Sequence, residues 1–111
     1  MGEGMELLPG TLDLLILRAL RSGAAHGYGI AERLRATSDN ILQVGESSLY
    51  PALQRLLLRG WVRGEWGESE NKRRARYYTL SARGRKQLEH ERADYERMDA
   101  AIRKVLTCTE Y

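Results

Sequence analysis

Four cations, Lys72, Arg73, Arg74 and Arg76, crowd five consecutive positions. Upstream stands a second group of hydroxyl, phenol, amide and guanidinium side chains: Ser47, Ser48, Tyr50, Gln54 and Arg55, with Pro51 among them. Neither group has the makings of covalent chemistry. Together they can grip a polyanion and read it, because cations neutralise phosphates and amide, hydroxyl and guanidinium groups pair with base edges. Catalysis finds little support elsewhere. His26 and His90 fall in different segments, and Glu68 and Glu70 sit in a polar turn. There is no Gly-rich phosphate loop, zinc-ligand spacing or nucleophile–base signature. The sequence therefore predicts a binding protein and not an enzyme, with no cofactor and no metal.

The reading group requires a helix. Pro51 lacks an N–H and clashes with the carbonyl four residues back, which assigns it to a helix's first turn. Ser47 or Ser48 is then the cap, and Gly60 suits the left-handed residue after the last turn. At about 100° per residue, Leu49, Ala52, Leu53 and Leu56 share one face. Ser47, Ser48, Pro51, Gln54 and Arg55 lie opposite, with Tyr50 and Arg59 on the flanks. An ordinary amphipathic helix with a polar outside has the same pattern, so the neighbouring elements must decide.

The basic group requires a strand. After Gly60 the pattern alternates: 61–66 reads as a strand, 67–72 as a polar turn with a flexible tip, and 73–80 as the returning strand. Alternation sends Arg74 and Arg76 to one side and Ala75 and Tyr77 to the other. On a duplex, such a hairpin lies along the backbone or dips into a minor groove. The bland alternative is an edge strand kept from aggregating by its charge. Trp61 and Trp66 read as packing at the base of the hairpin, with a ligand-stacking pair as the alternative.

The rest of the chain supplies the support. Thr11 caps a first helix, with Asp13 near its positive end. Leu12, Leu15, Ile16, Ala19 and Leu20 form the buried stripe of that helix, with Leu14 and Leu17 off its centre. A second helix runs from 28 to about 37, with Ile30, Ala31 and Leu34 inward and Glu32, Arg33 and Arg35 outward. His26 and Tyr28 stand at its start, where free N–H groups welcome an anion. They could equally be a helix cap and a core residue. Residues 41–44 are apolar and read as a short strand. Ser81 caps a long last helix running to about Leu106, in which Leu88, Tyr95 and Ile102 recur every seven residues. Met98 and Val105 fall between them, and Glu91 breaks the seam. So narrow a stripe packs on the first helix over part of its length and on a second copy over the rest.

The fold class is mainly α with a small β-hairpin: a winged helix-turn-helix plus a long C-terminal dimerisation helix. Residues 1–10 form an N-terminal arm, 11–80 the winged-helix domain, and 81–111 the dimerisation helix. A chain of 111 residues, 30% charged and 42% hydrophobic, suits one globular domain. The net charge of +3 and a pI near 9.2 permit a polyanionic partner without demanding one. The single cysteine, Cys108, cannot form an internal disulfide, which fits a reducing, cytoplasmic setting. No apolar run approaches the ~18–20 residues of a membrane span; the stretch 12–20 is interrupted by Asp13 and Arg18.

Four motifs stand in the order seen in PadR-type transcriptional regulators. They are His26-Gly27-Tyr28, Ser48-Leu49-Tyr50-Pro51-Ala52-Leu53-Gln54-Arg55-Leu56, Gly60-Trp61-Val62, and Tyr77-Tyr78-Thr79-Leu80-Ser81-Ala82-Arg83-Gly84. From about residue 7 to 106 the chain resembles the compact branch of that family, with one dimerising C-terminal helix. The resemblance implies a homodimer that represses by occupying a palindromic promoter operator in double-stranded DNA, usually relieved by a small-molecule effector. It places Ser48, Tyr50 and Pro51 at the start of the recognition helix, Gln54 and Arg55 at its exposed and flanking positions, and Lys72, Arg73, Arg74 and Arg76 in the wing. It also implies work in the cytoplasm, on the nucleoid. Leu57 and Leu58 depart from the pattern, since related sequences carry polar or charged residues there. The rival is a winged-helix protein-interaction module without DNA binding, which would have no need of so basic a hairpin.

Overall fold

The computed structural model describes residues 10–110. The element order is α1 (Thr11–Arg21), β1 (Ala25–His26), α2 (Gly27–Thr37), α3 (Glu46–Leu58), β2 (Val62–Glu68), β3 (Arg74–Leu80) and α4 (Ala82–Leu106). The antiparallel sheet has the order β1-β3-β2. β2 and β3 form the hairpin, in register from Val62 opposite Leu80 to Glu68 opposite Arg74. β1 adds His26 opposite Tyr77 on the other edge of β3. This is a mainly α winged helix-turn-helix followed by a long helix. No helix among the described residues is long and apolar enough to cross a membrane. The expected arm, residues 1–10, lies almost wholly outside the described residues.

The third strand is not where apolarity suggests. Residues 41–44 form no strand, and Ile41 is 49% exposed. Asp39 and Asn40 take left-handed φ angles of 54° and 68°, and Ser38 Oγ accepts the Leu42 N–H at 2.8 Å. That turn directs 41–45 straight into α3, while β1 occupies the free edge of β3.

α1 runs through the centre of the molecule. It touches α2, α3, β3 and α4, so Leu17, off the expected stripe, is fully buried together with Ile16. Thr11 is not its cap. Gly10 holds that position at φ 88°, without a side-chain bond. Arg33, expected to face outward, reaches back to the carbonyls of Ala19, Gly23 and Ala24 at 2.9, 2.8 and 3.0 Å. It thereby ties the end of α1 to the approach to β1.

One junction joins α3, the hairpin and α4. Gly60, at φ 76°, ends α3 by donating to Leu57 O, while Trp61 N–H donates to Leu56 O, both at 3.0 Å. Ser81 caps α4 by accepting the Gly84 N–H at 3.0 Å. Its hydroxyl donates to Gly60 O at 2.7 Å, and its N–H to Trp61 O at 3.0 Å. A Cβ on Gly84 would collide with that same Trp61 carbonyl. The Leu-Ser-x-x-Gly sequence is thus the chemistry of one close contact.

The assignment of Leu88 to a dimer seam is corrected. It is 2% exposed and belongs to the same core as Ile16, Leu53 and Leu56. A heptad position shows that a side chain needs cover, not which chain supplies it. Here α1 does, with Arg21 and Glu89 facing each other at 3.6 Å. Farther along α4, Tyr95, Met98, Ile102 and Val105 are 48–61% exposed.

Candidate nucleic-acid interface

α3 buries Leu49, Ala52, Leu53 and Leu56, each 2% exposed or less. Ser47, Ser48, Tyr50, Pro51, Gln54 and Arg55 are all exposed. Two expectations about its start change. Neither serine is the cap: Gly45 is, without a side-chain bond, and its carbonyl accepts from Ser48 and Leu49 N–H at 3.1 and 3.0 Å. Both hydroxyls therefore lie within the first turn, free of the capping role. Pro51 sits inside the helix, in its second turn. Lacking an N–H, it leaves the Ser47 carbonyl without its usual intrahelical donor. Ser47 is exposed, so water can supply that bond.

Arg55 is committed within the chain. Its Nη2 lies 2.9 Å from Asp13 Oδ1, and the Asp13 side chain is only 11% exposed. A nearly buried carboxylate needs such a partner. The pair fastens α3 to α1, and Arg55 is not a free cation.

Tyr50 leans across α3 onto the start of α2. A Cβ on Gly27 would meet the Tyr50 hydroxyl at 2.6 Å. This explains the glycine in His26-Gly27-Tyr28: only a residue without a side chain admits the phenol. His26 caps α2, Nδ1 accepting the Gly29 N–H at 3.0 Å, and its ring lies 5.2 Å from that of Tyr77. Tyr28 does not pack inward; it is 70% exposed.

The wing carries its arginines on aromatic rings. Arg74 Cζ stands 4.5 Å from the centroid of Trp66, and Arg76 Cζ 5.9 Å from that of Tyr78. Gly64 makes room for Arg76, whose Nε would be 2.5 Å from a Cβ there. Burial pushes the Tyr78 phenol up from its ordinary pKa, against the pull of Arg76. The assignment of Trp66 to packing at the hairpin base is corrected: Trp66 is 60% exposed, because β2 runs beyond the core. Trp61 is half-buried against the core, under Arg59. The tip, expected to be flexible, is a closed turn. Ser69 N–H donates to Arg73 O at 2.8 Å and Lys72 N–H to Ser69 O at 2.9 Å, and Lys72 takes φ 59°.

Between the tip and the starts of α2 and α3 lies a groove of about 670 Å³. It brings together His26, Tyr28 and Tyr50 with Arg73, Arg74 and Arg76. Ser47, Ser48, Pro51, Gln54 and Lys72 are not in its lining. Among the described residues, Lys72, Arg73, Arg74 and Arg76 make no ion pair, and even Glu68, opposite Arg74 in register, does not pair with it. On α4, by contrast, Arg92, Arg97 and Arg103 pair with Glu96, Asp94 and Asp99. Those three charges of the long helix are offset, whereas the four cations of the wing are left without an ion pair, which favours a polyanion on the groove side. No group of three His, Cys, Asp or Glu among the described residues is placed to hold a metal ion.

Sequence reasoning missed the Asp13–Arg55 pair, the Arg33 clasp and the Trp66–Arg74 stack. The last could have been found from the hairpin register, since Trp66 pairs with Arg76 and Arg74 is then its diagonal neighbour.

Comparison with known proteins agrees with this fold. The family described as Transcriptional regulator PadR-like matches residues 16–90. A transcriptional regulator from Clostridium thermocellum has a similar structure, with a TM-score of 0.78 and 30% identity over 86% of this chain and 92% of that one. A PadR family transcriptional regulator from Eggerthella lenta gives 0.76 and 28%, over 90% and 85%. Bacillus subtilis PadR, solved in complex with operator DNA, gives 0.64 and 26%, over 72% of this chain and 45% of that one.

Proposed function

The chain belongs to the PadR-like family of transcriptional regulators, which are not enzymes, and from that premise we propose that it binds operator DNA as a homodimer and represses transcription. The observation that carries this reading is the bare charge of the wing beside the exposed start of α3. The N-terminal half of α3 enters a major groove, with Ser47, Ser48, Tyr50, Pro51 and Gln54 against base edges and phosphates. Arg55 serves at the flank while it holds α1. His26 and Tyr28, at the start of α2, meet one phosphate strand. Lys72, Arg73, Arg74 and Arg76 grip the neighbouring backbone.

The outer part of α4, from Tyr95 through Met98 and Ile102 to Val105, pairs with its counterpart in a second copy, and a palindromic site matches that two-fold symmetry. The winged-helix unit, 11–80, then borrows the first turns of the dimerisation segment, 81–111, for its own core. A small-molecule effector releases the operator. The protein works on the nucleoid, in the cytoplasm. Fluorescence anisotropy over a salt series, with the gene's own upstream DNA and a scrambled duplex, tests the reading. Tighter binding to the upstream DNA, with steep salt dependence, is expected. Equal, weak binding to both would favour a protein-interaction module instead.

A further inference from the structure

Trp66 is not explained by the fold. It is 60% exposed, on the face of the hairpin that borders the reading end of α3. What it does contact is Arg74, 4.5 Å from its ring centroid. Arg74 declines the carboxylate of Glu68, directly across the strands, and stacks on the indole instead. Stacking covers one face of a guanidinium and leaves its in-plane N–H donors and its charge free. It also restricts a long side chain that would otherwise sample many rotamers. The closed tip turn and the neighbouring Arg76–Tyr78 stack hold the platform in place.

We propose that Trp66 is a positioning residue for DNA shape: it presents Arg74 edge-on to a narrow minor groove, so that the wing selects A·T-rich flanks beside the site read by α3. The inference rests on the DNA-binding reading above. A flat guanidinium backed by an indole suits a narrow groove, and A-tracts combine that narrowness with enhanced negative potential. The selection depends on groove width and requires no hydrogen bond to a base edge.

The test uses the full chain and two duplexes of equal length, an uninterrupted A-tract and an alternating G·C sequence. The wild type should favour the A-tract by about three- to fivefold, the range of one exposed cation–π contact. Trp66→Ala should bring that ratio close to one while leaving the salt slope unchanged, because no charge is lost. Trp66→Phe should restore the preference. Arg74→Ala should abolish it and reduce the salt slope by about 0.9. In a Trp61→Phe background, Trp66 emission should change on binding the A-tract and recover when netropsin, a minor-groove ligand, is added. A Trp66→Ala protein that keeps its preference, or Trp66 emission indifferent to DNA, overturns the proposal. Equal wild-type binding to both duplexes, or binding to neither, overturns this proposal alone, whereas equal, weak binding to the upstream and scrambled DNA overturns the DNA-regulator reading as well.

Discussion

The Tyr50 hydroxyl occupies the space that a side chain on Gly27 would need, at 2.6 Å from the position of its Cβ. The start of the reading helix is thereby set against the start of the helix before it. Gly27→Ala should push the phenol outward. Tyr50 is 47% exposed, so the ring can swing and stability should change by no more than about 1 kcal/mol. Operator affinity should fall instead. A urea melt and anisotropy on one preparation separate the two; a large loss of stability with unchanged affinity would mean that the contact serves the fold.

Gly84→Ala should behave in the opposite way. The atom it meets is the backbone carbonyl of Trp61, which cannot swing aside. A loss of about 2 kcal/mol or more is expected. Ser81→Ala, which removes the α4 cap and the bond to Gly60, should cost about 1–2 kcal/mol. Thermal melts check both, and an unchanged Tm for Gly84→Ala would show that the junction is looser than described.

Asp13→Asn should release Arg55. The pair is worth about 1 kcal/mol after solvent screening, so stability should drop slightly while affinity for all duplexes rises. Arg55→Ala strands the buried carboxylate and should be the more destabilising of the two. If Asp13→Asn leaves duplex affinity untouched, Arg55 has no part in binding.

Replacing Lys72 and Arg73 by alanine should weaken binding to every duplex alike and flatten the salt slope by about 1.8. Gln54→Ala should instead alter which sequence is preferred. Selection from a randomised duplex pool distinguishes these outcomes, and an unaltered preference would remove Gln54 from base reading.

Tyr95→Glu with Ile102→Glu should yield folded monomers in sedimentation. Leu88→Ala should cost about 3 kcal/mol through the cavity it leaves and keep the assembly state of whatever remains folded. A dimer that survives the double glutamate change would place the contact elsewhere on the chain.

The helices were legible because three or four leucines at helical spacing need a common face, and α3 buries the four residues its periodicity names. Less was legible where the answer depended on neighbours. β1 is two residues long, too short for any alternation. Pro51 departs from the first-turn preference at a point where Ser47, whose carbonyl it deprives, is exposed. Alternation places Trp66 on the same side as Val62, but it does not tell where the core ends beneath the strand. Of the candidate interface, the polar outer face of α3 was readable, whereas the engagement of Arg55 with Asp13 and of Arg74 with Trp66 required the tertiary structure.

Ser81 bonds the last residue of one turn and the first of another, so the end of α3, the root of the wing and the start of α4 share one knot. A tilt of α4 would therefore pull on all three. In the proposed dimer the two heads would then swing with the helix, and the distance between them would change. In that dimer, control built on such a linkage would act on span: an effector that shifted α4 by a small angle would carry both heads out of step with successive turns of the double helix.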